Sequence, residues 1–236
     1  MGADEYHPIS HKGSNLSEAG GIGYTVVDAI DTMLLMGLDD EYLRARSWIE
    51  HKLDFDRNAS FSTFEVRFSF EFFRVAYSTM HGDLIHSERL QTTIRVLGGL
   101  LSAYHHSGGD SLFLERAQDL ADRMLPVFDT PSGLPYPAVN LQQRVGLWAE
   151  ENTPIVSTAE ASTLQLEFRY LSELTDDDIY WKKAERVGLY RSGWQGLVVR
   201  MSYLQVMAVI RSAHQYTGMA STFMEYVRPP FADRPS

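Results

Sequence analysis

Glu65 closes the segment Phe61-Ser62-Thr63-Phe64-Glu65. A carboxyl set among aromatic rings and partly withdrawn from water has its neutral form favoured. That is the property of a general acid, which holds a proton until a leaving oxygen needs it, as in cleavage of a sugar linkage. Read alone, the segment also fits an ordinary exposed helix glutamate, and on these five residues the plainer reading is the stronger. Glu160 is the next candidate, in Ser157-Thr158-Ala159-Glu160 at the head of an apolar helix. Ser157 and Glu160 stand three apart and match a capping box, which accounts for both structurally. Asp28 and Asp31 lie inside the apolar run Val26–Gly37. Acids there are costly unless paired or hydrogen-bonded, so they anchor helix ends or face a site, and the structural role is preferred.

Other chemistries find less support. Cysteine is absent, which removes thiolate ligands, disulfides and a cysteine nucleophile from this sequence. His81, His86, His105 and His106 are scattered, and lone histidines are more often surface or core residues than ligands, so no metal ligand is assigned. Gly20-Gly21-Ile22-Gly23 precedes a helix but lacks the preceding strand and the lysine of a phosphate loop. A net charge of −10 argues against nucleic acid as partner, since phosphate binding needs clustered Lys and Arg. No run of about eighteen apolar residues is present, so no membrane span is expected. The opening MGADEYHPIS lacks the apolar core of a signal peptide. Asn15-Leu16-Ser17 and Asn58-Ala59-Ser60 are acceptor sequons of the kind found in lumenal proteins, although such triplets also arise by chance.

The elements that must position these residues are helical. Apolar positions Ile22, Val26, Val27, Ile30, Met33 and Leu34 predict a well-buried helix over 17–36, stopped by Gly37. Asp39 is the expected N-cap of a helix over 39–53. Further helices are predicted over 92–106, 111–127 and 157–174, with another opening at 178–187. Pro126, Pro131, Pro135, Pro137 and Pro154 mark 128–156 as a long irregular stretch with room for a short hairpin. A faint repeat links the second helix of each pair. Each copy opens on an expected capping residue: Asp39…Tyr42-x-x-Ala45-x-x-Trp48, Ser111…Leu114-x-x-Ala117-x-x-Leu120 and Asp178…Trp181-x-x-Ala184-x-x-Val187. A small residue at a fixed place lets helices approach closely. A buried helix followed by a half-exposed one suits a toroid of inner and outer helices; a plain bundle is the alternative.

Residues 61–65 and 92–104, read without what lies between, give FSTFE-TTIRVLGGLLSAY. That is one helix with Glu65 and Arg95 at i and i+4. With GADEYHPIS, GGIGYTVVDAIDTMLLMGL, VNL and STAEASTLQLEFRYLSELT, the joined sequence resembles the class I α-1,2-mannosidases, glycoside hydrolase family 47, over about residues 3–65 and 92–187. The resemblance implies an all-α, (α/α)7 barrel, here incomplete, closed in the family by a short hairpin. It implies trimming of terminal α-1,2-mannose from high-mannose N-glycans with inversion, calcium as cofactor, and a place in the endoplasmic reticulum, the Golgi or outside the cell. By motif, Glu65 corresponds to the catalytic acid, Arg95 to the arginine one turn on, and Glu160 to a glutamate of the glycan cleft.

The sequence also departs from the family. The aspartate and glutamate motifs that hold the family's base candidates, and the threonine motif that ligates calcium, do not occur in these residues. Residues 66–91 interrupt the helix, and resemblance ends after Val187, leaving 188–236 as a tail expected to be poorly ordered or loosely helical. Val66 and Gln91 have codons that can carry the GT and AG of an intron read in frame; a genuine insertion is the alternative. The expectation is therefore a partial mannosidase catalytic domain, inactive by itself. A mannose-binding relative without hydrolysis, in glycoprotein quality control, and a non-functional fragment are the other readings.

Overall fold

A computed structural model describes residues 2–15, 17–63, 92–130, 133–148 and 164–190, with 186–190 described by backbone alone. Among the described residues, six α-helices fall into three hairpins. The first pairs α1 (Tyr24–Leu35) with α2 (Asp39–His51). The second pairs α3 (Gly98–His106) with α4 (Ser111–Met124). The third pairs α5 (Gln165–Thr175) with α6 (Asp178–Tyr190). The first helices of the hairpins stand side by side, α1 on α3 and α3 on α5. Polar contacts join the second helices across the row. Arg46 of α2 grips Asp110 at the head of α4 with Nε–Oδ2 at 2.6 Å and Nη2–Oδ1 at 3.1 Å. Tyr180 of α6 donates to Asp122 of α4 at 2.7 Å.

Packing follows the residue pattern. On α4, Phe113, Ala117, Leu120, Ala121 and Met124 recur along one face and are all buried. Ala45, Ala117 and Ala184, the fixed small position of the repeat, are each 0% exposed. Between α1 and α3 the approach is closer still. A methyl group on Gly99 would lie 2.7 Å from the Val27 carbonyl oxygen, so only glycine fits. The acids of the apolar helix are satisfied in place. Asp31 is buried and accepts from Ser102 Oγ of α3 at 2.8 Å and from the Thr32 amide at 2.6 Å.

Two small antiparallel sheets complete the described fold. In one, β1 (Glu5–His7) pairs with β2 (Lys12–Ser14). In the other, β3 (Ser60–Ser62), β4 (Ala138–Asn140) and β5 (Val145–Leu147) lie in that order. The β4–β5 hairpin falls within the irregular stretch where a short hairpin was expected. The strand β3 corrects the helix expected to start at Phe61. Phe61 pairs with Val139, so Ser60–Ser62 are extended.

Boundaries shift elsewhere for local reasons. The first helix begins at Tyr24 rather than 17, because Gly20 and Gly23 take positive φ of 103° and 72°. Its leading amides, which lack intrahelical partners, are capped from a distance. Asp4 Oδ1 accepts from the amides of Ile22 at 2.9 Å, Gly23 at 2.8 Å and Tyr24 at 3.3 Å. Asp39 is the first residue of α2, not its N-cap. The residue before Ser111 caps α4: Asp110 accepts from the Leu112 amide. Asp177 accepts from the Ile179 amide ahead of Asp178. Residues 92–97 form a π-helical turn, Thr92–Leu97, leading into α3. The last described helix runs through 187, the expected edge of the family-like region, to Tyr190. The expected insert at 66–91, and the tail beyond Tyr190, lie outside the described residues.

Candidate functional site

Thr63, two residues before Glu65, is fixed by all its polar groups. Its amide donates to the Pro137 carbonyl at 3.0 Å and its hydroxyl to the Tyr136 carbonyl at 2.9 Å. Its own carbonyl accepts from the Thr93 hydroxyl. Thr93 lies two residues before Arg95. In the joined sequence, Thr63 and Thr93 are four positions apart, the spacing of one helical turn. The two halves of the interrupted motif therefore meet in space at this pair. Thr92 is held as well, with its hydroxyl 3.2 Å from the buried Tyr24 hydroxyl of α1. Burial pushes the Tyr24 hydroxyl well above its ordinary pKa, which keeps it neutral.

Arg95 projects from the π turn. Its Nη1 lies 3.2 Å from Asp28 Oδ2 on α1, and both side chains are partly exposed. An ion pair that wet contributes under about 1 kcal/mol, so its consequence here is orientation rather than stability. Asp28 thus proves to be the charge partner of a candidate binding residue, whereas Asp31, one turn on, is a structural tie. Glu65 and Glu160 lie outside the described residues, so of the three candidate residues Arg95 alone is placed.

Sequence reasoning missed Glu167. It lies on α5, is 9% exposed, and its Oε2 has no hydrogen-bond partner. A methyl group at Gly98 of α3 would come 3.8 Å from Glu167 Cγ and Oε1, which puts the carboxyl against α3 one turn past Arg95. Burial pushes its pKa to about 8. The signal was present in the sequence. Leu164, Glu167, Phe168 and Leu171 share one helical face, and the other three are fully buried apolar residues.

Among the described residues, no group of three or more His, Cys, Asp or Glu could hold a metal ion. None of their helices is long and apolar enough to cross a membrane.

Comparison with known proteins bears on this geometry. The model of "Glycosyl hydrolase family 47" matches residues 1–68 and 77–228, leaving out part of the expected insert and continuing past 187. A mannosyl-oligosaccharide 1,2-alpha-mannosidase of Candida albicans is 39% identical over 79% of this chain and 28% of its own length. The endoplasmic reticulum mannosyl-oligosaccharide 1,2-alpha-mannosidase of Schizosaccharomyces pombe is 41% identical over 78% of this chain and 30% of its own. The human enzyme of the same name is 38% identical over 83% and 24%. The chain thus spans under a third of the length of these relatives. Among solved structures, an alpha-1,2-mannosidase from Trichoderma reesei aligns with a TM-score of 0.57 and 27% identity, over 80% of this chain and 36% of that one. The joined motif, the row of helical hairpins and the family match over nearly the whole sequence agree: the chain belongs to glycosyl hydrolase family 47.

Proposed function

We propose that this chain supplies the acid side of an α-1,2-mannosidase site acting on high-mannose N-glycans in the secretory pathway. Glu65 protonates the leaving oxygen, while Arg95 and Glu160 bind the glycan. The observation that carries the reading is the Thr63–Thr93 contact, which holds the strand leading to Glu65 beside the turn bearing Arg95. The Asp28 carboxylate orients the arginine. The names of the relatives support the substrate class and the endoplasmic reticulum. The three helical hairpins are, on this reading, an arc of the family's (α/α)7 barrel.

Inversion needs a second carboxyl that activates a water on the far side of the sugar. The family motifs for that base are not among these 236 residues, so they complete no hydrolytic site by themselves. Calcium is the family's cofactor, and hard oxygen ligands would suit it. The described residues gather no such set.

The test is a chimera in which residues 1–187 replace the matching segment of the Trichoderma enzyme. It should release mannose from an α-1,2-linked mannobiose, and Glu65→Gln should abolish release while sugar binding persists. The 236 residues alone should release none, with or without added calcium. An active chimera indifferent to Glu65→Gln would remove Glu65 from the role of acid. Glycan binding by the 236 residues without release would favour a lectin-like role for them.

A further inference from the structure

The sequon Asn58-Ala59-Ser60 has a geometry that the proposed hydrolysis does not use. Asn58 is exposed and lies just ahead of β3, an edge strand of the three-stranded sheet. Its carboxamide orientation is set by a short chain of hydrogen bonds. Asn140 Oδ1 accepts from the Gln143 amide at 3.0 Å, which identifies the oxygen of Asn140 and leaves its Nδ2 as the donor. That Nδ2 donates to Asn58 Oδ1 at 2.8 Å, and Gln143 Nε2 donates to the same oxygen at 3.2 Å. Two donors therefore hold the Asn58 oxygen toward the sheet. The Asn58 Nδ2 points away from them. It is the atom that carries the sugar in an N-linked glycan. Ser60, whose hydroxyl the sequon requires, is exposed as well.

The other sequon is differently placed. A methyl group built on Gly21 would come 2.6 Å from Asn15 Oδ1 and 2.7 Å from the Asp4 carboxylate. Asn15 is exposed too, but its Oδ1 lies against Gly21 at the cap of α1, beside the carboxylate that holds the amides of Ile22, Gly23 and Tyr24.

The geometry points to Asn58 as an acceptor for an N-linked oligosaccharide in the folded protein, in preference to Asn15. A bulky, solvated glycan at this place would stand over the edge strand and hinder its pairing with another chain. Modification in the cell rests on the lumenal location proposed above; the acceptor geometry does not.

The experiment separates the two. The purified, folded chain is incubated with a single-subunit oligosaccharyltransferase and lipid-linked oligosaccharide, and its peptides are weighed. One oligosaccharide mass should appear on the peptide carrying Asn58 and little on that carrying Asn15. Asn58→Gln and Ser60→Ala should each abolish it. Asn140→Asp, which leaves the sequon intact but replaces the donor with a carboxylate that attracts the Asn58 Nδ2, should lower the yield severalfold. An unmodified Asn58, equal modification of Asn15, or an unchanged yield in Asn140→Asp would overturn the inference.

Discussion

Glu167→Gln tests whether the buried carboxyl between α3 and α5 is neutral in the folded protein. The carboxyl has an ordinary pKa of 4.5, raised by burial to about 8. At about 1.4 kcal/mol per pH unit, ionising it in the folded state costs up to about 5 kcal/mol more than in the unfolded chain. Relaxation and water entry reduce such penalties, so roughly 3–5 kcal/mol is the working figure. Below pH 4.5 both states hold the proton and stability is undiminished. Between 4.5 and about 8 the unfolded chain gives up its proton while the folded chain keeps it, and stability falls as pH rises. Above that range the loss is complete. Glutamine keeps the shape of the side chain and is neutral throughout. Urea unfolding followed by far-ultraviolet circular dichroism, from about pH 4 to about pH 9, gives the difference between variant and parent. The two should coincide at the acid end, with the variant gaining several kcal/mol at the alkaline end. Parallel curves across the range would refute a buried, neutral Glu167.

Two further predictions concern the same helices. Gly99→Ala forces a methyl group against the Val27 backbone oxygen at 2.7 Å, so thermal unfolding should show a loss of about 1–3 kcal/mol despite alanine's better helix propensity. An unchanged Tm would mean that α1 and α3 stand further apart. Deleting residues 66–91, which joins Glu65 to Thr92, should preserve cooperative unfolding and the molar helical signal, because Thr63 and Thr93 are already in contact. Loss of the cooperative transition would show that the intervening residues are needed to hold the fold.

The helical hairpins were legible because burial writes itself into spacing. Ala45, Ala117 and Ala184 were recognisable as one repeated position, and each is fully buried where a second helix meets its neighbours. Features set by residues far apart in sequence were not. Asp4 caps α1 across an interval that no local pattern reveals. Phe61 looked helical beside the apolar residues of the joined motif, yet Val139 lies opposite it and makes it a strand. The caps of α4 and α6 fell one residue early, on Asp110 and Asp177, since adjacent Asp and Ser residues are near equivalents as N-caps. Glu167 went unremarked because the capping box upstream accounted for Glu160 and not for it.

The Thr63–Thr93 contact bears on how the interruption is accommodated. In an uninterrupted helix, covalent continuity would fix Glu65 relative to Arg95. Here the two described ends, Thr63 on one side and Thr92 to Arg95 on the other, are held by tertiary bonds. Thr63 is held by Tyr136 and Pro137, Thr92 by Tyr24, and Arg95 by Asp28. None of these partners belongs to residues 66–91. Closing a loop between the two fixed ends costs only about 0.6 kcal/mol more for each doubling of its length. A retained intron and a genuine insertion would therefore both be tolerated at this point. Tolerance by the fold does not extend to the chemistry. Thr63 and Thr93 bring the chain ends together, but in the uninterrupted helix the direction of Glu65 would be set by the turn that joins it to Thr92. In this chain Val66 follows Glu65 instead, so on the proposed reading the aim of Glu65, rather than the packing of the helical hairpins, is what the interruption puts at stake.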